Sequence, residues 1–108
     1  MMNETEYQRV DARFRRVFDR YAAQLSEESQ TNICHFLEVA EIEMACESFV
    51  LSLLEEEIQL SVDVKRELLD LALGLQLDRE SVFRSDFWQL ASTAFASAST
   101  STRRLPLS

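Results

Sequence analysis

One glycine, Gly74, and one proline, Pro106, have to serve a chain of 108 residues. Folds built from many strands reverse direction about every ten residues, and those turns draw on Gly and Pro. Such folds are therefore excluded here, whereas helices need few connections and can end without either residue. The length suits one domain rather than two. With 46% hydrophobic residues the chain has enough apolar surface for a core. The expected fold is all-α, a small single-domain bundle of about five helices.

Periodicity places the helices. Tyr7, Val10, Phe14, Val17, Phe18 and Tyr21 recur at spacings of three and four, which predicts a helix over residues 4–24 with one apolar face. Ser26 or Ser29 can cap a second, short helix with Ile33, Phe36, Leu37 and Ala40 facing inward. A third runs over 41–57 and is apolar on most sides near its centre, which predicts the most buried position. No Gly or Pro separates the second from the third, so a turn and one continuous bent helix both remain open. Ser61 or Asp63 caps a fourth helix, with Val64, Leu68, Leu71, Ala72 and Leu75 inward. Gly74 stands where a left-handed C-terminal residue is expected. Asp78 or Ser81 starts a last helix whose inner face is Val82, Phe83, Phe87, Leu90, Ala91 and Phe95, with Trp88 beside it. The helical domain is taken to span 1–96. From Ser97 the Ser, Ala and Thr content predicts a disordered tail over 97–108.

Charge is distributed unevenly. The net charge is −8, which disfavours direct nucleic-acid contact and docking on an anionic membrane, and favours a basic protein partner. Between Tyr21 and Val64 there is no Lys or Arg, but there are ten acids: Glu27, Glu28, Glu38, Glu41, Glu43, Glu47, Glu55, Glu56, Glu57 and Asp63. Five of the eleven basic residues lie between Arg9 and Arg20. Glu43 and Glu47, four apart, share a helix face, and like charges at that spacing destabilise. Glu55, Glu56 and Glu57 crowd a helix C-terminus, where the dipole disfavours anions. One reading is a surface held ready for a cationic partner. The other is a solvated acidic face, partly neutralised by the arginines of the first helix.

Chemistry-bearing constellations are sparse. Cys34 and His35 diverge by about 100° on a helix, so with Cys46 they do not form a tetrahedral metal site. Both cysteines read as small core residues and His35 as a partly exposed side chain. No glycine-rich phosphate loop can form with one glycine, and no set of nucleophile, base and orienting group assembles. No enzymatic activity, cofactor or metal is expected. Residues 1–7 have neither a basic start nor an apolar stretch, and the longest apolar runs are far too short for a membrane span, so a cytoplasmic location with free thiols is expected.

The middle of the chain, from Ile33-Cys34-His35-Phe36 through Phe49 and Leu53-Leu54, resembles the MafI-like family of bacterial immunity proteins. Glu41, Ile42, Ala45, Glu47 and Phe49 fall on the family's pattern of a Glu after a polar break, an apolar residue, and an Ala and Glu ahead of a leucine-rich run. The later stretch ending Leu73-Gly74-Leu75 is similar to the family's closing helix. Val39-Ala40 stands where the family commonly has Gly or Asn with His. The likeness covers roughly residues 31–77. It implies an immunity protein of a contact-dependent growth inhibition system, which binds the C-terminal domain of a cognate toxin, often a nuclease, and covers its active site or substrate groove. On that expectation Glu38, Glu41, Glu43, Glu47, Glu55, Glu56 and Glu57 are the toxin-binding candidates, although Glu41 can instead cap the third helix. The free protein is expected to be a monomer. The rival expectation is a self-associating helical adaptor or regulator, whose basic first helix docks on the acidic middle of another copy.

Overall fold

The computed structural model describes residues 3–101, with side chains through Phe95. Among them the chain forms five α-helices and no strand: α1 (Glu4–Tyr21), α2 (Glu27–Glu38), α3 (Ile42–Glu55), α4 (Val62–Gly74) and α5 (Phe87–Ser101). A single 3-10 turn, Ala22–Gln24, follows α1. The all-α single domain predicted from the scarcity of Gly and Pro is the observed fold.

Side chains start three of the helices. Asn3 accepts from the Glu6 N–H while Glu6 accepts from the Asn3 N–H, a reciprocal capping box that satisfies two orphan donors of α1. Ser26 caps α2 and Ser61 caps α4, each accepting the N–H three residues on. Glu41 occupies the N-cap position of α3, but its side chain makes no capping hydrogen bond.

The stops are less ordinary. Residues Ala40, Glu57 and Gln76 have φ of 61°, 55° and 62°. Each follows the C-cap of a helix, and around each the backbone makes the paired bonds of a Schellman motif. Glu41 donates to the Phe36 carbonyl and Ala40 to Leu37; Ile58 to Leu53 and Glu57 to Leu54; Leu77 to Ala72 and Gln76 to Leu73. These left-handed stops cost non-glycine residues about 1–2 kcal/mol each. They resolve the boundary between the second and third helices as a tight turn at 39–41, so α2 and α3 form an antiparallel hairpin. They also correct the role of Gly74, which is the last helical residue of α4, while the left-handed position falls two residues later on Gln76.

Helix α3 is the hub, packed against α1, α2, α4 and α5. Its Ile42, Ala45, Cys46, Phe49, Val50 and Leu53 are buried, as its pattern predicts. Phe49 meets Phe14 and Phe18 of α1 edge-on, with ring centroids 5.4 Å and 5.5 Å apart. Val64, Leu68, Leu71 and Ala72 of α4 and Phe87, Ala91 and Phe95 of α5 complete the core.

One expectation at the C-terminal end is corrected. Helix α5 starts at Phe87, not near Asp78 or Ser81, and residues 75–86 form a connection that leaves Val82 and Phe83 each 46% exposed. The connection is pinned by side-chain bonds described below, which use N–H groups that a helix would need. Helix α5 runs through Ser101. Residues 102–108 of the expected tail lie outside the described residues. Cys46 is buried as expected. Cys34 is exposed, because Ile33 and Leu37 turn the inner face of α2 away from it.

Candidate functional site: acidic and apolar clefts around the third helix

The seven candidate glutamates do not form one patch. Glu38 and Glu41 flank the α2–α3 turn, and Glu55, Glu56 and Glu57 lie at the other end of α3. A helix of 14 residues separates the groups by about 20 Å at 1.5 Å per residue. Glu38, Glu41, Glu55 and Glu57 are exposed.

The other three are held by the fold. Glu47 has no exposed surface, and its carboxylate accepts the N–H groups of Val82 (2.6 Å), Phe83 (2.9 Å) and Arg84 (3.0 Å). Its assignment to a toxin-binding surface is therefore corrected: Glu47 anchors the 75–86 connection. Glu43 is half-buried and accepts the Tyr7 hydroxyl at 2.7 Å. The like charges at 43 and 47 thus share a face as predicted, but that face points inward, where distant donors satisfy both. Glu56 reaches from the C-cap of α3 to the N-terminus of the antiparallel α2. There it accepts the Ser26 N–H (2.8 Å) and the Ser29 hydroxyl (2.6 Å). The Ser29 hydrogen bond, then the Ser26 N–H, hold its carboxyl below the usual carboxylate range. An anion misplaced on its own helix is thereby well placed at the positive end of its neighbour.

None of the ten acids between residues 27 and 63 forms an ion pair among the described residues. The arginines of α1 find partners elsewhere or none: Arg13 pairs with Glu67 of α4 at 2.8 Å, and Arg15 with Asp11 on its own helix. No arginine of α1 forms an ion pair with the acidic middle among the described residues.

At the turn end, an open cleft of about 610 Å³ lies between α1, the start of α3, the end of α4 and residues 80–82. Glu41, Glu43 and Glu80 line it, together with Tyr7 and the last residues of α4, whose dipole also presents negative charge. Burial, the bond to Glu43, and the charges of Glu43, Glu41 and Asp11 together push the Tyr7 hydroxyl well above its ordinary range. Glu80 belongs to this cleft and was not among the sequence candidates, since nothing local marks it.

A second cleft, about 450 Å³, lies between α2, α3, the 75–86 connection and α5. Its apolar lining, Phe36, Leu51, Leu54, Phe83 and Leu90, is interrupted by Asn32, Ser48, Ser52, Glu55 and Arg84. The Phe36 and Phe83 rings are 5.7 Å apart at its mouth. Val82 lines the acidic cleft and Phe83 the apolar one, so these adjacent exposed residues form a ridge between them. The sequence pattern assigned both to an inner helix face.

Among the described residues no nucleophile, base and orienting group stand together. Cys34 and His35 are exposed, while burial of Cys46 pushes its thiol up to about 12, which leaves it protonated and unreactive at neutral pH. Among the described residues no three His, Cys, Asp or Glu side chains are grouped to hold a metal ion, and no helix is long and apolar enough to cross a membrane. The arrangement sets carboxylates that form no ion pair among the described residues beside exposed aromatic and aliphatic side chains. The chain matches no known family model, no curated protein and no solved structure.

Proposed function

We propose that this chain is an immunity protein, which binds the basic C-terminal domain of a cognate bacterial toxin in the cytoplasm and blocks its active site or substrate groove. The carrying observation is that the ten acids between residues 27 and 63 have no ion-pair partner within the described fold. Clustered carboxylates repel one another, and a cationic partner relieves that repulsion while guiding encounter. The resemblance of residues 31–77 to the MafI-like immunity family supports the same reading. A nuclease groove lined with Lys and Arg is the target that such carboxylates fit best, by standing in for phosphates. Of the candidates, Glu38, Glu41, Glu55 and Glu57 are assigned to the partner and Glu47 and Glu56 to the fold, while Glu43, bonded to Tyr7, lines the acidic cleft from within the fold.

The test is a growth assay in cells that express a candidate cognate toxin domain. Co-expression restores growth, and the purified pair co-elutes. Reversing the exposed acids of the turn, as Glu38→Lys with Glu41→Lys, abolishes protection and leaves the helical circular dichroism unchanged. Full protection by that double variant would refute the role of the acidic turn.

A further inference from the structure

Resting on that functional reading, we propose that the Val82–Phe83 ridge is the central anchor of the interface. In this arrangement the apolar cleft beside it receives a bulky apolar side chain from a lysine- or arginine-bearing segment of the partner, while that segment's cations enter the acidic cleft.

Three features of the fold combine in this assignment. The first is the ridge. Two large apolar side chains, each 46% exposed, sit side by side on a connection rather than in the core. Phe83 packs on Phe36 and leaves the rest of its ring open, and as sequence neighbours Val82 and Phe83 make a contiguous apolar patch of the kind a partner covers. The second is rigidity. The backbone that carries the ridge is bonded through three successive N–H groups to the buried Glu47 carboxylate. Phe83 is thus held at the mouth of the cleft in advance, and a pre-ordered anchor loses little freedom on binding. The third is charge. Arg84, the cation in the cleft lining, is tied to Asp86 by two bonds of 2.9 Å. Glu55, in the same lining, is exposed and makes no ion pair among the described residues. On the far side of the ridge stand Glu41, Glu43 and Glu80. An apolar anchor flanked on both sides by unpaired carboxylates fits an apolar side chain flanked by cations.

A second copy of this chain is the poorer occupant, since it brings a further net charge of −8 against the same acids. The cleft volume of about 450 Å³ lies within the ~300–1,000 Å³ of sites that take a compact group.

The experiment is a titration of the full chain, followed by amide chemical shifts. One probe is a short amphipathic peptide of alternating leucine and lysine, and oligolysine serves as the charge-only control. The leucine-bearing peptide moves the amides of Phe36, Leu51, Leu54 and Phe83 saturably, whereas oligolysine moves only those near the acids. Phe83→Ser weakens the peptide by at least about tenfold, the loss expected for an aromatic anchor, and leaves oligolysine unaffected. Because Phe83 is half exposed, this variant keeps the fold, which circular dichroism checks. Identical shift maps for both probes overturn the proposal, and so do cleft shifts that depend on protein concentration without peptide, which would assign the cleft to a second copy. In the growth assay, Phe83→Ser reduces protection. Should it protect fully while the Glu38→Lys, Glu41→Lys variant does not, the anchor falls and the electrostatic reading stands. Failure of the wild-type chain to protect sinks the functional reading instead, and the peptide titration still decides the cleft.

Discussion

A carboxylate with no exposed surface is tolerable only when its lost hydration is replaced, and Glu47 is given three backbone N–H groups in exchange. Removing it leaves those donors facing an apolar gap. Glu47→Ala is therefore expected to destabilise the fold by about 3 kcal/mol or more, since each orphaned donor costs about 1–3 kcal/mol and the lost acceptor is charged. Glu47→Gln retains one acceptor oxygen but turns an amide N–H₂ toward N–H donors, so it falls between the two. Urea denaturation measures the loss, and hydrogen exchange at residues 82–84 locates it: those amides become the first to exchange. Unchanged exchange there would mean that the connection is held by something other than this anchor. Gly74 and Gln76 offer a complementary test. A Cβ on Gly74 meets nothing within 4 Å and its backbone is helical, so Gly74→Ala stabilises by about 0.5–1 kcal/mol. Gln76→Gly relieves a left-handed backbone and stabilises by a similar amount. Thermal unfolding decides both, and a lower Tm for Gly74→Ala would return the left-handed role to that position.

Among the elements, the α2–α3 hairpin carries both the legible and the illegible parts of the chain. The apolar periods of α1, α3 and α4 are visible because burial of a helix face repeats every three or four residues, and Phe14, Phe49 and Leu68 fall where that repeat places them. The helix stops are not visible, since Ala40, Glu57 and Gln76 adopt a conformation that sequence signals reserve for glycine. The acids were legible as a charge block but not as individuals. Glu43, Glu47 and Glu56 find donors 27–37 residues away, and no local pattern reports such partners. Val82 and Phe83 were misplaced for the same reason, because a carboxylate on α3 takes the N–H groups on which a helix would depend. The bond from Glu56 to the α2 N-terminus also sets a pH dependence. Its carboxyl is held below the usual range in the fold, so its contribution is complete above the ordinary carboxylate pKa and disappears as pH falls through the lowered folded value. The stability gap between the wild type and Glu56→Gln is thus expected to be widest near neutral pH and to close in acid. Denaturant titrations from neutral pH down to pH 3 measure it, and a gap that is constant with pH would show that the charge on Glu56 contributes nothing.

Across the whole molecule, the question is whether a body with net charge −8 meets its own kind or a cation. Self-association through α1 is the weaker route, because Arg13 is already paired with Glu67 and Arg15 with Asp11. Sedimentation is expected to give a monomer of 12.5 kDa at all concentrations and salt levels. A dimer that dissociates with salt would instead favour the adaptor. Binding to a basic domain has a different signature. Attraction between opposite charges acts over about 10 Å at 0.1 M salt and about 3 Å at 1 M, so salt weakens the approach before it weakens the bound contact. The association rate constant is accordingly expected to fall by at least about tenfold between low and high salt. The dissociation rate, set by the short-range packing of the Val82–Phe83 ridge, changes little. Charge reversal at Glu38 and Glu41 lowers the association rate and flattens its salt dependence. Phe83→Ser leaves the association rate near the wild-type value and speeds dissociation. Stopped-flow mixing with the toxic domain separates the two effects. An association rate indifferent to salt would mean that the acidic block has no part in finding the partner, and its role would then be confined to keeping like-charged copies apart.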